Sequence, residues 1–165
     1  MRVTISLYCL MLLLKPVAVQ AKPDHAKGIL ADADAVSHGS VTLKQQGGMV
    51  HGTIRISGMM PGFHAMHIHS TGQCRGDGFT AAGGHWNPQV KQHGLQNSMG
   101  AHLGDLAQIT VGKDGKGKAR FMLMSSLDQL LDADGAALII HANPDDGMTD
   151  PSGNSGPRIL CAVIG

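Results

Sequence analysis

Hydrophobic and polar residues alternate in short runs along most of this chain, and glycines separate the runs. Residues 39–44 place Val41 and Leu43 on one face. Residues 50–57 set Ile54 and Ile56 against Arg55. Residues 63–69 continue as F-H-A-M-H-I-H, and residues 106–111, 119–124, 136–141 and 159–164 are further runs of strand length. The stretch Lys113-Asp114-Gly115-Lys116-Gly117 has the composition of a hairpin turn. Seven or eight short strands joined by glycine turns predict an all-β antiparallel domain, closed or sandwiched. Only residues 126–131 carry helical spacing, with Ser125 or Ser126 as the cap. Two long segments, 70–102 and 143–158, carry no strand pattern. Loops of that length in a compact domain are usually functional.

The first 21 residues belong to a different pattern. Arg2 precedes an apolar run over residues 5–14, and Val19-Gln20-Ala21 ends it with small residues before the polar Lys22-Pro23-Asp24. This is the layout of a signal peptide cleaved after Ala21, too short to span a bilayer comfortably. The mature domain is then residues 22–165, with no linker, charge block or repeat to divide it. Cleavage removes Arg2 and Lys15, so 11 basic residues face 12 acidic ones and the net charge becomes −1. A near-neutral chain has no broad basic surface for nucleic acid. It also retains only Cys74 and Cys161, and two cysteines in an exported chain are expected to form one disulfide.

Ten histidines against five aromatic residues are the anomaly of the composition. His67 and His69 stand two apart on an expected strand, hence on one face and roughly 6.6 Å apart, so both can reach one metal. The long segment adds His85, His93 and His102, with Asp105 three residues on, and His141 ends an apolar run. Three imidazoles and a carboxylate make a closed zinc set. A zinc hydrolase would need an open position and a general base, so a full set argues against one. Histidines drawn from a strand pair, a loop and a distant strand suit copper. His25, His38 and His51 are isolated and expected to be solvated. Met59-Met60 is expected to be packing before the Pro61-Gly62 turn.

These motifs carry a resemblance. P-G-F-H-A-M-H-I-H-S-T-G-Q-C at 61–74, G-G-H-W-N-P at 83–88 and K-Q-H-G at 91–94 are similar to blocks of exported bacterial copper–zinc superoxide dismutases. So are H-L-G-D-L at 102–106, I-I-H-A-N-P-D-D at 139–146, and D-P-S-G-N-S-G-P-R-I-L-C-A-V-I-G at 150–165. The resemblance implies an eight-stranded Greek-key barrel with two long functional loops, located in the periplasm or otherwise outside the cytosol. It implies copper on His67, His69, His85 and His141, and zinc on His85, His93, His102 and Asp105, with His85 bridging the two. Asp145 would orient one histidine of each set, Arg158 would attract the anionic substrate, and His64 would be structural. Cys74 and Cys161 match the family's disulfide. The implied reaction disproportionates superoxide to dioxygen and hydrogen peroxide. A non-catalytic copper carrier or storage protein on the same barrel is the alternative; the complete ligand set and Arg158 favour catalysis. Such proteins occur as monomers and homodimers, and the chain is compatible with either, with no membrane association once the signal is gone. Two departures stand out. Met66 replaces a common Phe, and the 143–157 loop carries no Lys or Arg before Arg158. Arg75 and Lys91 are the candidates to replace its steering charge.

Overall fold

The computed structural model describes residues 23–165, so the expected leader at 1–21 lies outside them. Nine strands follow one another: β1 (His25–Ala31), β2 (Ser37–Gln46), β3 (Met49–Ile56), β4 (Gly62–His64), β5 (Met66–His69), β6 (Ile109–Val111), β7 (Gly117–Leu123), β8 (Ala136–His141) and β9 (Arg158–Ile164). All pairings are antiparallel, in the order β4-β6-β7-β3-β2-β1-β9-β8-β5. The two ends of that order, β4 and β5, are consecutive in the chain and separated only by Ala65. The sheet therefore curls until one broken strand completes it, giving an all-β, nearly closed barrel of eight staves. The expected single strand over 63–69 is split because Ala65 turns its backbone aside: its N–H donates to Asn143 O at 2.9 Å and its O accepts from His141 N at 2.9 Å.

β1 is an element the hydrophobic pattern did not reveal. Its inward positions are Ala26, Gly28 and Leu30, while Ile29 points outward, so the alternation of burial is clear but that of hydropathy is weak. It pairs with β2 along its whole length, yet meets β9 in register only at Ala31↔Cys161. Two further backbone bonds, Lys27 N to Gly165 O at 2.9 Å and Gly165 N to Lys27 O at 3.0 Å, fasten the other end of that seam. The β2–β3 hairpin turns on Gly47 and Gly48 at φ 59° and 80°, the left-handed pair that a two-residue turn requires. The helical segment reduces to α1 (Leu127–Leu130), capped by Ser126 and Gln129 in a reciprocal capping box. Among the described residues no helix is long and apolar enough to cross a membrane.

The barrel interior is aliphatic: Leu30, Val41, Leu43, Ile54, Ile68, Ile109, Leu138 and Ile140 are among its fully buried members. Met66 is buried in this core as well. Two strands are buried on both faces, which explains why β8 reads as an unbroken apolar run. Ala136, Leu138 and Ile140 face inward, while Ala137 and Ile139 pack outward against Phe79, Ala82 and Cys161. The cover is the long segment after β5, containing a 3₁₀ stretch at Asp77–Ala82. It is fastened to the wall by the Cys74–Cys161 disulfide. An outer barrel face sealed under a loop is what the site is built on.

Candidate metal centre

β5 pairs with β8 as Met66↔Ile140, His67↔Ile139, Ile68↔Leu138 and His69↔Ala137. Because side chains alternate, Met66 and Ile68 enter the core and His67 and His69 stand on the outer face. Small Ala137 opposite His69 leaves room there for an imidazole. The long loop returns across β5 through isolated bridges His67↔Asp105 and His69↔His85, with Ile68 N–H donating to Gly104 O and Trp86 N–H to Ile68 O. Trp86 and Leu106 reach from the loop into the barrel core and anchor it. His141 arrives at the end of β8, paired with Arg158 at the start of β9.

Two groups of donors result. His67, His69, His85 and His141 bring ring nitrogens within 4.8 Å of one another. Each of three rings is held by its far nitrogen. His67 Nε2 donates to Asp145 Oδ2 at 2.6 Å, His69 Nδ1 to Gly83 O at 2.9 Å, and His141 Nδ1 to Gly156 O at 3.0 Å. The opposite nitrogens, His67 Nδ1, His69 Nε2 and His141 Nε2, are buried without a hydrogen-bond partner. Each fixed N–H leaves a bare lone pair on the other side of its ring. Buried polar atoms are rarely left so, and three aimed into one cluster are what a soft or borderline cation with imidazole affinity would satisfy. Burial pulls His67 and His141 down to about 4, and His69 to about 2, so all three offer unprotonated nitrogens at neutral pH. His85 is lowered too, again by burial.

The second group surrounds one carboxylate oxygen. Asp105 Oδ1 lies 2.8, 3.0 and 3.1 Å from Nδ1 of His85, His93 and His102. The Nδ1 atoms of His85 and His102 are themselves 3.3 Å apart. Bonds of about 2.0–2.1 Å to a tetrahedral zinc place ligand atoms about 3.3 Å from one another, so these four donors could hold that ion. Asp105 Oδ2 accepts from the backbone N–H of Gly94 and of His102, at 2.9 and 3.0 Å, which fixes the carboxylate. Burial would raise Asp105, but the hydrogen bonds from His85 and His93 outweigh it and hold the group far below the usual carboxylate range. His67 lies near this set as well, its ring stacked on His85 with centroids 3.9 Å apart. Its Nε2 is committed to Asp145, whereas His102 aims Nδ1 at Asp105.

His85 belongs to both groups, its Nδ1 among the Asp105 set and its Nε2 left for the other. Asp145 also spans them: Oδ2 takes the His67 bond and Oδ1 accepts from His93 Nε2 at 3.0 Å and from Gly147 N at 2.7 Å. Burial depresses His93, yet the Asp105 and Asp145 carboxylates raise it to about 9. Arg158 is half-buried beside the first group, donating to Phe79 O at 2.9 Å and to Gly83 O at 2.8 Å. It thus shares an acceptor with His69. His64 lies apart, its ring nitrogens 2.9 Å from His141 O and Met60 O. Arg75 is exposed and bonded to Gln73, and Lys91 is exposed with its backbone held by Asn87. Of the three isolated histidines, His38 is bound to Asp32 and to Ser57 O, and His25 to Asp24.

Several supports escaped the sequence reading. The carbonyls of Gly83, Gly156 and Phe79 are backbone atoms, invisible as residue types. Asp150 accepts from His93 N at 2.5 Å and ties the two loops together. Gly153 is required by close approach: at φ +62° a Cβ there would lie 1.9 Å from Asp145 Oδ1 and 2.7 Å from His93 Nε2.

Residues 37–164 match the family model described as copper/zinc superoxide dismutase. The superoxide dismutase-like protein YojM of Bacillus subtilis is 37% identical over 163 residues, covering 91% of this chain and 80% of that protein. Superoxide dismutase [Cu-Zn] 2 of Aquifex aeolicus is 34% identical over 149 residues, 85% of each chain. Among solved structures, the Cu/Zn superoxide dismutase from Brucella abortus superposes with a TM-score of 0.71 at 25% identity, covering 84% of this chain and 98% of that one.

Proposed function

The chain belongs to the copper/zinc superoxide dismutase family, and from that premise we propose that it is an active dismutase, exported to the periplasm after cleavage behind Ala21. In this reading residues 22–165 form the mature domain. The observation that carries it is the trio of buried, unpartnered nitrogens on His67, His69 and His141, converging with His85 beside Arg158. His67, His69, His85 and His141 would hold copper, and His85, His93, His102 and Asp105 would hold zinc. When bound, copper supplies a one-electron couple that accepts an electron from one superoxide and returns it to a second, while zinc supplies a fixed, redox-inert charge.

The rest is done by the chain. Arg158 is permanently charged and planar, and it draws the small anion to the four-histidine group by charge and hydrogen bonds. Its two bonds to Phe79 O and Gly83 O hold it there. His85 Nε2 is positioned to carry one of the two protons that the second superoxide needs to leave as hydrogen peroxide. The fixed N–H bonds of His69 and His141 keep both tautomers constant through turnover. The Cys74–Cys161 disulfide supports an oxidising compartment.

The similarity to a protein named only superoxide dismutase-like keeps a copper carrier as the competing reading. The experiment is elemental analysis of the mature protein reconstituted with copper and zinc, alongside superoxide consumption in the same sample. One copper and one zinc per chain with rapid consumption is expected. Both metals bound without consumption beyond that of the metal-free protein would overturn catalysis in favour of carriage.

A further inference from the structure

The wall formed by β3 and β7 presents an outer face whose composition changes along its length. Outward positions on β7 are Lys118, Arg120 and Met122, and the chain continues to Met124 directly beyond the strand. Lys118 and Arg120 are the solvated charges such positions normally hold. Met122 and Met124 break that pattern, at 61% and 73% exposure. The facing strand supplies the reason to connect them. His51 is the cross-strand partner of Met122, and Val50 pairs with Leu123, so Met49 is the next outward position on β3 and Met124 follows Leu123 just past the end of β7. Met49 and His51 are both half-buried outward positions of β3. Directly opposed residues hold their Cβ atoms about 4.5–5.5 Å apart, and same-face neighbours lie roughly 6.6–7 Å apart along a strand. Flexible thioethers close such gaps easily. A groove lined by Gln46, His51, Thr53, Arg120 and Met122 opens beside the His51–Met122 pair.

We propose that Met49, His51, Met122 and Met124 form a second metal site on the outer wall of the barrel, one that takes copper(I). Three thioethers and one imidazole are neutral, soft donors, and thioethers select monovalent copper over zinc, calcium or magnesium. Lys44 across from His51 on β2, and Arg120 two residues from Met122, add positive charge nearby and oppose a divalent ion more than a monovalent one. Exposure of Met122 and Met124 makes the site exchangeable rather than permanent. In the ring β7 lies two staves and β3 three from the β4–β5 stave that carries His67 and His69, so the site is separate from the buried histidine groups.

The test is a titration of the copper- and zinc-loaded protein with silver(I), a redox-inert stand-in for copper(I), followed by methyl NMR of methionines labelled with carbon-13. Met60, Met99 and Met148 are also exposed and serve as controls within the molecule. Methyl shifts confined to Met49, Met122 and Met124, saturating at one silver per chain, are expected. Met122→Leu and His51→Gln should each weaken binding at least tenfold with dismutase activity unchanged. Equal response of all exposed methionines, no response, or unaltered affinity in both variants would overturn the site. Met122→Leu conserves volume on an outward position, so its folding is not at issue.

Discussion

Asp145→Asn separates the roles of one carboxylate that serves two histidines. Its two oxygens accept three N–H groups: His67 at 2.6 Å on Oδ2, and His93 at 3.0 Å with Gly147 at 2.7 Å on Oδ1. Burial raises this group, yet the bonds from His67 and His93 keep it well below the usual carboxylate range, so it is an anion at neutral pH. A carboxamide of the same shape has one acceptor oxygen and one donor NH₂. With the oxygen kept toward His93 and Gly147, NH₂ faces the Nε2–H of His67. That ring must then move its proton to Nδ1, the nitrogen it would offer to copper. With the amide flipped, His93 and Gly147 face the donor instead. One charge-assisted hydrogen bond is lost in the first arrangement and two in the second, at about 1.5–3 kcal/mol each, so the first is favoured and costs roughly 10- to 100-fold in affinity for one metal. Competition with chelators, run separately for copper and zinc, reads this directly. An asymmetric loss of at least tenfold is expected, with the circular dichroism of the wild type retained. Both affinities within twofold of wild type would refute the argument.

Three further outcomes follow from the same geometry. Arg158→Ala should lower superoxide consumption by roughly tenfold or more at low salt while copper stays bound, a difference that shrinks as salt screens the wild-type charge; equal rates at low salt would remove its role. Opening the Cys74–Cys161 bond, which closes a loop of sequence separation 87, should cost about 4–5 kcal/mol and lower the melting temperature by on the order of 10 °C, measured by calorimetry with and without reductant. In the metal-free protein, His67 and His141 titrate near 4 and His69 near 2, against about 6.5 unfolded. Below pH 6.5 the unfolded chain therefore binds more protons, and denaturant stability should fall as pH drops toward 4, by up to about 1.4 kcal/mol per unit for each histidine. His93, raised to about 9, acts oppositely, losing stability as pH rises from 6.5 through 9. A flat profile between pH 6.5 and 4 would contradict the burial argument.

What the sequence made legible was what side-chain type encodes. The alternation at 50–57 and the apolar run at 136–141 became β3 and β8, and the two-residue spacing of His67 and His69 puts both on one face of β5. β1 stayed hidden because its inward face is mostly alanine and glycine, which carry little hydropathy. The break at Ala65 was illegible because it arises from backbone bonds to Asn143 and His141, distant in the chain. The same holds at the site. Imidazoles and carboxylates announced themselves, whereas the carbonyls that fix His69 and His141, and the bare space at Gly153, exist only once loops 70–102 and 143–158 meet.

The ring of staves has a consequence for encounters between chains. A strand with unpaired N–H and C=O groups is a template for another polypeptide. Here the terminal members of the sheet order are two halves of one continuous stretch, so among the described residues no stave is left with a whole side unpaired. Addition would first require the ring to part. Two seams have a single registered pair: β6 against β7, which their own tight turn holds together, and β1 against β9, which joins strands far apart in the chain, with Cys161 as the β9 member of its pair. The cysteine of that pair is the one that fastens the long loop, so the bond that seals the histidine groups is anchored at one side of that seam.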